Sequence, residues 1–258
     1  MSNAMQHQRY ITLDGMTNLR DLGGYRTNDG TKTMKWGVVF RGDQPSLVPA
    51  DVAQRVLVQQ LHISSTFDLR GDSEAAAKCY VIPHVCRHAV PIDMNHMDEL
   101  LPPNANVNEG PVAFRLMQDY YRSLVTAEGP AMGAVVKQLL QTSPSRTNAA
   151  LIHCTGGKDR TGWAVYALLS LLDITEEEKR EDYELTNRCF KIPKEAYEYE
   201  GAADLSKEAF NAFWRVSMDY LDAAVGEVKK LGGMEAYAKS HMGLTDDNIQ
   251  QLRDVMLE

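Results

Sequence analysis

The stretch Ala149-Ala150-Leu151-Ile152-His153-Cys154-Thr155-Gly156-Gly157-Lys158-Asp159-Arg160-Thr161-Gly162-Trp163-Ala164-Val165-Tyr166-Ala167-Leu168-Leu169 decides how this chain is read. The short apolar run before Cys154 predicts a buried strand, and the longer apolar run after Gly162 predicts a helix. Between them lies a glycine-bearing loop with a cysteine at its start and an arginine six positions on. A strand that turns into a helix through a tight loop leaves backbone N–H groups without partners. They point inward at the positive end of the helix dipole and form a nest for an anion. Gly156 and Gly157 permit the backbone angles that such wrapping needs.

The side chains of the loop suit a phosphate dianion. Thr155, Gly156 and Gly157 bring backbone N–H groups to it. Arg160, on the first turn of the helix, can grip two oxygens with its planar fork, which a lysine cannot. A cysteine in such a nest favours its thiolate, which can attack phosphorus and form a phosphocysteine that water then hydrolyses. Charge spreads over the equatorial oxygens in the transition state, where the N–H groups and Arg160 oppose it. Thr161 is expected to donate a hydrogen bond to the thiolate, and His153 to orient the loop. A nucleotide-binding loop is excluded, because Gly157-Lys158 runs into Asp159 rather than Ser or Thr. The plain alternative for Cys154 is a small core residue beside an exposed basic turn.

His153-Cys154 through Gly162 resembles the cysteine-dependent phosphatases with an HCx5R signature. With Lys158 and Asp159 inside the loop, it is similar to the atypical bacterial tyrosine and phosphoinositide phosphatases. Further matches are Asn18-Leu19-Arg20-Asp21-Leu22-Gly23-Gly24-Tyr25, Phe40-Arg41-Gly42-Asp43, Thr66-Phe67-Asp68-Leu69-Arg70, Gly232-Gly233 and Leu252-Arg253. The resemblance implies an α/β fold with a protein-tyrosine-phosphatase-like central sheet flanked by helices. It implies an enzyme of the tyrosine or dual-specificity type, with no metal or other cofactor. It also implies that Asp159 acts as general acid from within the loop. No Trp-Pro-Asp tripeptide occurs to supply another, so Asp68 and Asp93 stand in reserve. Lys158 resembles the loop cation that meets a second phosphate in phosphoinositide phosphatases; otherwise it is a solvated lysine. Expected substrates are phosphorylated proteins or phosphoinositides. The competing readings are a phosphate-binding module without turnover and a metal protein using Cys79, His84, Cys86 and His88. The spacing of those four fits no usual zinc pair.

Composition sets outer limits. The 258 residues suit one domain over residues 5–258, Met1-Ser2-Asn3-Ala4 reading as a tag remnant. A net charge of −8 argues against a nucleic-acid surface, and 44% hydrophobic residues suit a globular core. No apolar run approaches membrane-spanning length. The start lacks a secretory leader, which points to the cytoplasm, or to secretion if a leader has been removed. Four cysteines make no disulfide framework at this length.

Periodicity predicts strands at Trp36–Phe40, Ile63–Leu69, about Val85–Ile92 and Ala149–His153. Helices are expected from Pro49 to about Leu61, and on the face formed by Met132, Val135, Val136, Leu139 and Leu140, before a Ser143-Pro144-Ser145 turn. Thr175 and Glu178 predict a capping box, with the acidic start of that helix solvated. One long helix is expected from about Ser206 to Leu231, stopped by Gly232-Gly233, and Thr245 is a candidate cap for the last. Leu100–Pro111 and the helical Val112–Val125 are a candidate lid. Met117, Tyr120 and Tyr121 then face either substrate or core. Lys191–Gly201, with Tyr197 and Tyr199, is a second candidate rim. Arg20, Asp21, Arg41, Asp68 and Arg70 are expected near the strand C-termini, contacting ligand or bracing the loop with ion pairs.

Overall fold

The apolar run before Cys154 lies at the centre of a five-stranded sheet in the computed structural model, which describes residues 9–198 and 202–258. The first residues, including Met1–Ala4 and Met5, lie outside the described residues, as do Tyr199 and Gly201. The strands are β1 (Arg20–Asp21), β2 (Val39–Gly42), β3 (Ile63–Arg70), β4 (Cys86–Ile92) and β5 (Ala149–His153). Their order is β1-β2-β5-β3-β4, parallel throughout except for β1. Every residue of β5 is buried, because both faces of a parallel sheet are covered. Alternate side chains divide between two cores, as the pleat demands. Ala150 and Ile152 join the larger core, and Ala149 and Leu151 the smaller one.

The helices are α1 (Ala50–Val52), α2 (Asp72–Ala77), α3 (Gly110–Thr126), α4 (Gly129–Thr142), α5 (Asp159–Leu171), α6 (Glu176–Cys189), α7 (Lys207–Trp214), α8 (Met218–Lys230), α9 (Met234–Ser240) and α10 (Asp246–Met256). Residues from α3, α4, α5, α8 and α10 build the larger core. The smaller core is closed by Leu13, Met16, Leu57 and Ile82. Leu57 belongs to a π-type stretch, Ala53–Gln60, that continues α1. Among the described residues no helix is long and apolar enough to cross a membrane.

Three expectations change. β2 starts at Val39 rather than Trp36, because Gly37 turns the chain at a φ of 72°. Only half of the predicted capping box forms. Thr175 accepts from the Glu178 N–H, but the Glu178 carboxylate turns to the N–H of Arg26. The single long helix after Ser206 is two helices broken at 215–217. No glycine or proline marks that break. Asn187 of α6 holds it, accepting from the Val216 N–H and donating to the Val216 carbonyl, at 2.9 Å each. Those bonds satisfy a peptide that a continuous helix would have paired internally.

Candidate active site

Cys154 directly follows β5 and Asp159 starts α5, so the loop sits at the C-terminal edge of the central strand. Its carbonyls are turned outward and taken by the scaffold. Thr155 O accepts from the Gln44 N–H at 3.1 Å. Asn18 Nδ2 donates to Gly156 O and Gly157 O at 3.0 Å each, and Arg41 donates to Gly157 O at 2.8 Å. Among the described residues, none accepts from the N–H groups of Thr155, Gly156, Gly157 or Lys158. Peptide planarity sets each N–H opposite its carbonyl, so outward carbonyls leave donors on the inner side. Gly157 has a φ of 62°, and a Cβ there would meet Gly42 O at 2.2 Å, so the site takes only glycine.

Arg160 is aimed by its partners. Its guanidinium meets Glu74 with both terminal nitrogens, one at 2.8 Å, and donates to Ile92 O at 3.0 Å. Glu74 also accepts from the Thr155 hydroxyl at 2.6 Å and from the Gly71 N–H at 3.0 Å. Burial works against the charge of Arg160, but Glu74 outweighs it and raises the arginine further above its ordinary value. Glu74 escaped the sequence reading; its one signal is its place in the first turn of α2, just after Arg70.

Lys158 and Asp159 face each other. Lys158 Nζ lies 2.8 and 2.7 Å from the two oxygens of Asp159 and 3.5 Å from Arg215 O. Asp159 Oδ1 also accepts from the Tyr121 hydroxyl at 2.9 Å, and Tyr121 accepts from Tyr183 at 2.8 Å. Burial raises both phenols well above their usual range, so they remain donors. Asp159 opens with Met97, Met117, Phe213 and Trp214 onto a cavity of about 370 Å³. The Met117, Tyr120 and Tyr121 side chains are buried in the larger core, and Met117 also lines that cavity.

His153 packs behind the cysteine. Its Nδ1 lies 3.0 Å from Cys154 O, and its Nε2 2.7 Å from the Tyr80 hydroxyl. A carbonyl only accepts, so Nδ1 carries the proton and Nε2 accepts from Tyr80. Burial pushes the imidazole down to about 4. Asp68 is equally enclosed. Arg70 binds both of its oxygens, at 2.8 and 2.7 Å, and Arg87 binds one at 2.7 Å. Burial alone would raise this carboxyl; the arginines bring it down to about 2. Asp68 is therefore an arginine-bound carboxylate, beside His153 on the neighbouring strand. The side chain of Asp93 lies against Gly71, at the start of α2. The Thr161 hydroxyl, expected on the thiolate, is buried with no hydrogen-bond partner among the described residues.

Beneath the loop, Arg20 and Arg41 converge on Asp182 of α6, at 3.0 and 2.5 Å. Burial opposes the Asp182 charge, yet the two arginines hold its carboxyl at about 2. Asp182 belongs to the acidic start of α6 that was expected to be solvated, and it is 1% exposed. Arg20 also binds Asn18 Oδ1 at 2.6 Å, which orients the amide that serves the loop. Asp21 accepts from the N–H groups of Gly23 and Gly37 at 2.8 Å each.

The four-residue metal grouping does not assemble. Cys79 and Cys86 are exposed, His84 sits in a turn with φ 66°, and His88 stacks on Phe67. Among the described residues no three His, Cys, Asp or Glu side chains are grouped to hold an ion.

The family model described as "Tyrosine phosphatase family" matches residues 11–258. The chain belongs to the tyrosine phosphatase family. A relative named "Putative tyrosine-protein phosphatase", from Cupriavidus necator, is 23% identical over 266 aligned residues, covering 97% of this chain and 89% of its own. For this family member, membership agrees with the α/β sheet and supports phosphatase activity on phosphorylated substrates.

Proposed function

We propose that the protein hydrolyses phosphomonoesters, phosphotyrosine first among them, through a phosphocysteine on Cys154. The observation that carries this reading is the single loop that holds Cys154, a run of N–H groups with no acceptor among the described residues, and an Arg160 aimed by Glu74. Cys154 Sγ attacks phosphorus, the bond to the ester oxygen breaks, and Asp159 gives that oxygen a proton. Asp159 then takes a proton from the water that attacks phosphorus, and the P–S bond breaks. Thr155, Gly156, Gly157 and Arg160 hold the equatorial oxygens throughout. Lys158 pairs with the Asp159 carboxylate in the resting loop; when a phosphate monoanion arrives, Lys158 exchanges Asp159 for a phosphate oxygen, and the proton the monoanion carries passes to Asp159, which delivers it to the leaving oxygen. Asp68 acts from behind by fixing Arg70, without touching substrate.

Phosphoinositides are a second reading, favoured by a lysine inside the loop itself. Phosphate release across phosphotyrosine, phosphoserine and phosphoinositide substrates separates the two. Cys154→Ser is expected to abolish turnover of p-nitrophenyl phosphate while circular dichroism stays unchanged; full activity in that variant would overturn the reading. Asp159→Asn is expected to slow esters with poor leaving groups far more than those with good ones. Tight phospholigand binding by the unaltered protein with no phosphate release would make it a binding module instead.

A further inference from the structure

A second cavity, of about 800 Å³, begins at the other side of the loop, on Thr155 and Gly156. It is far larger than a phosphate needs and falls in the range of pockets that take extended ligands. Trp214 lines both this groove and the cavity that holds Asp159, so its indole is a wall common to the two spaces. The wall is aromatic. The Phe190 ring lies against Gly156 and stacks on Trp214 with centroids 6.5 Å apart. Trp214 packs on Phe210, and Phe210 stacks on Tyr197, which is 59% exposed. Phe190 and Trp214 thus form the groove's aromatic wall, and Phe210 and Tyr197 continue the ring stack behind it to the surface. Leu47, 67% exposed, also lines the groove.

The rim is charged. Lys78, Lys191 and Lys194 line the groove, all three are exposed, and none forms an ion pair among the described residues. Two carboxylates also line it. Asp43 is turned away, accepting from Thr17 and Asn18, which leaves Glu195 as the acidic group on the lip. In a chain of net charge −8, three unpaired lysines beside an anion site form a local positive field that favours negative partners.

We infer that this groove binds the residues flanking a phosphotyrosine in a peptide or protein, apolar against the aromatic wall and acidic against Lys78, Lys191 and Lys194. The inference rests on the phosphatase reading and names its substrate class. Acidic side chains match the lysines, and an extended peptide matches an apolar trough that runs outward from the loop.

The test compares two phosphotyrosine peptides, one with Asp and Glu beside the phosphotyrosine and one with Ala there. The unaltered protein should show the higher kcat/KM for the acidic peptide, and the preference should shrink as salt is raised. The double variant Lys191→Glu with Lys194→Glu should lower the acidic-to-neutral ratio about tenfold, and Lys78→Glu alone about threefold, as expected for exposed charge pairs. These lysines are exposed, so the variants are expected to fold. An acidic-to-neutral ratio unchanged by all three substitutions would overturn the inference. So would a loss confined to phosphatidylinositol phosphate in phosphatidylcholine vesicles, which would give the groove to a lipid headgroup. Absence of turnover of p-nitrophenyl phosphate by the unaltered protein would instead remove the phosphatase reading beneath it.

Discussion

Behind the loop, Asp182 is enclosed by Arg20 and Arg41 and is 1% exposed; in front of it, Asp159 pairs with Lys158 and is 15% exposed beside a cavity. Both are carboxylates in contact with cations, Asp182 tied to the loop through Arg41, which also donates to Gly157 O, and Asp159 directly following it in the chain. The first has two arginines that cannot leave and a phenol, Tyr25, completing its shell. The second has one lysine on a flexible stem, and its own carboxylate borders a cavity. A saturated buried pair serves as a brace. A pair that borders a cleft can exchange one partner for substrate. The contrast separates the loop's support from its chemistry.

Asp182→Asn tests the support directly. It keeps the shape but leaves two buried guanidinium groups short of a counter-charge, which costs about 3–5 kcal/mol. Urea unfolding measures it, and a loss well under 1 kcal/mol would place Asp182 outside the brace. The pH dependence follows from His153, on the same supporting side. Its folded value is about 4 against an ordinary 6.5, so the fold favours the neutral ring. Its contribution is full above pH 6.5 and is lost as the pH falls from there to about 4. The unfolded chain binds the extra proton in that window, and the loss amounts to about 3 kcal/mol. His153→Asn, which does not titrate, should flatten the slope of unfolding free energy with pH there. Asp68 and Asp182 add a further loss only between about 3.8 and about 2.

On the chemical side, Arg160→Lys should cut kcat roughly a hundredfold, because a lysine cannot hold two oxygens of the transition state at once. Steady-state kinetics on p-nitrophenyl phosphate reads the effect. Tyr121→Phe should give the smallest change, about 1 kcal/mol for one hydrogen bond to Asp159. It should appear as slower turnover of esters with poor leaving groups and an unchanged melting temperature. A fall in stability with no leaving-group dependence would move Tyr121 to the supporting side.

The sequence was informative where chemistry and local geometry coincide. Cys154, Gly156, Gly157, Lys158, Asp159 and Arg160 lie within a few bonds of one another, so the strand before them and the helix after them suffice to gather them. β5 was legible from its unbroken apolar run, β3 from its spaced apolar residues Ile63, Phe67 and Leu69, and the Asn18–Gly24 element from its motif. Glu74, Asp182 and Tyr80 were not, because each meets the loop from a distant element. Asp182 reads as one more charge in an acidic helix start, and only the approach of Arg20 and Arg41 buries it. The break between α7 and α8 has no local sign, since Asn187 on another helix supplies the bonds that make it stable.

Residue order alone therefore places a nucleophile, an arginine and an acid on one loop, because local backbone physics brings neighbours together. Chain packing determined which carboxylate aims Arg160, which arginines seal Asp182, and which side of the loop opens into the lysine-rimmed groove. Those outcomes depend on contacts between segments far apart in the chain, whose burial and charge balance exist only once the sheet and its helices have closed around them.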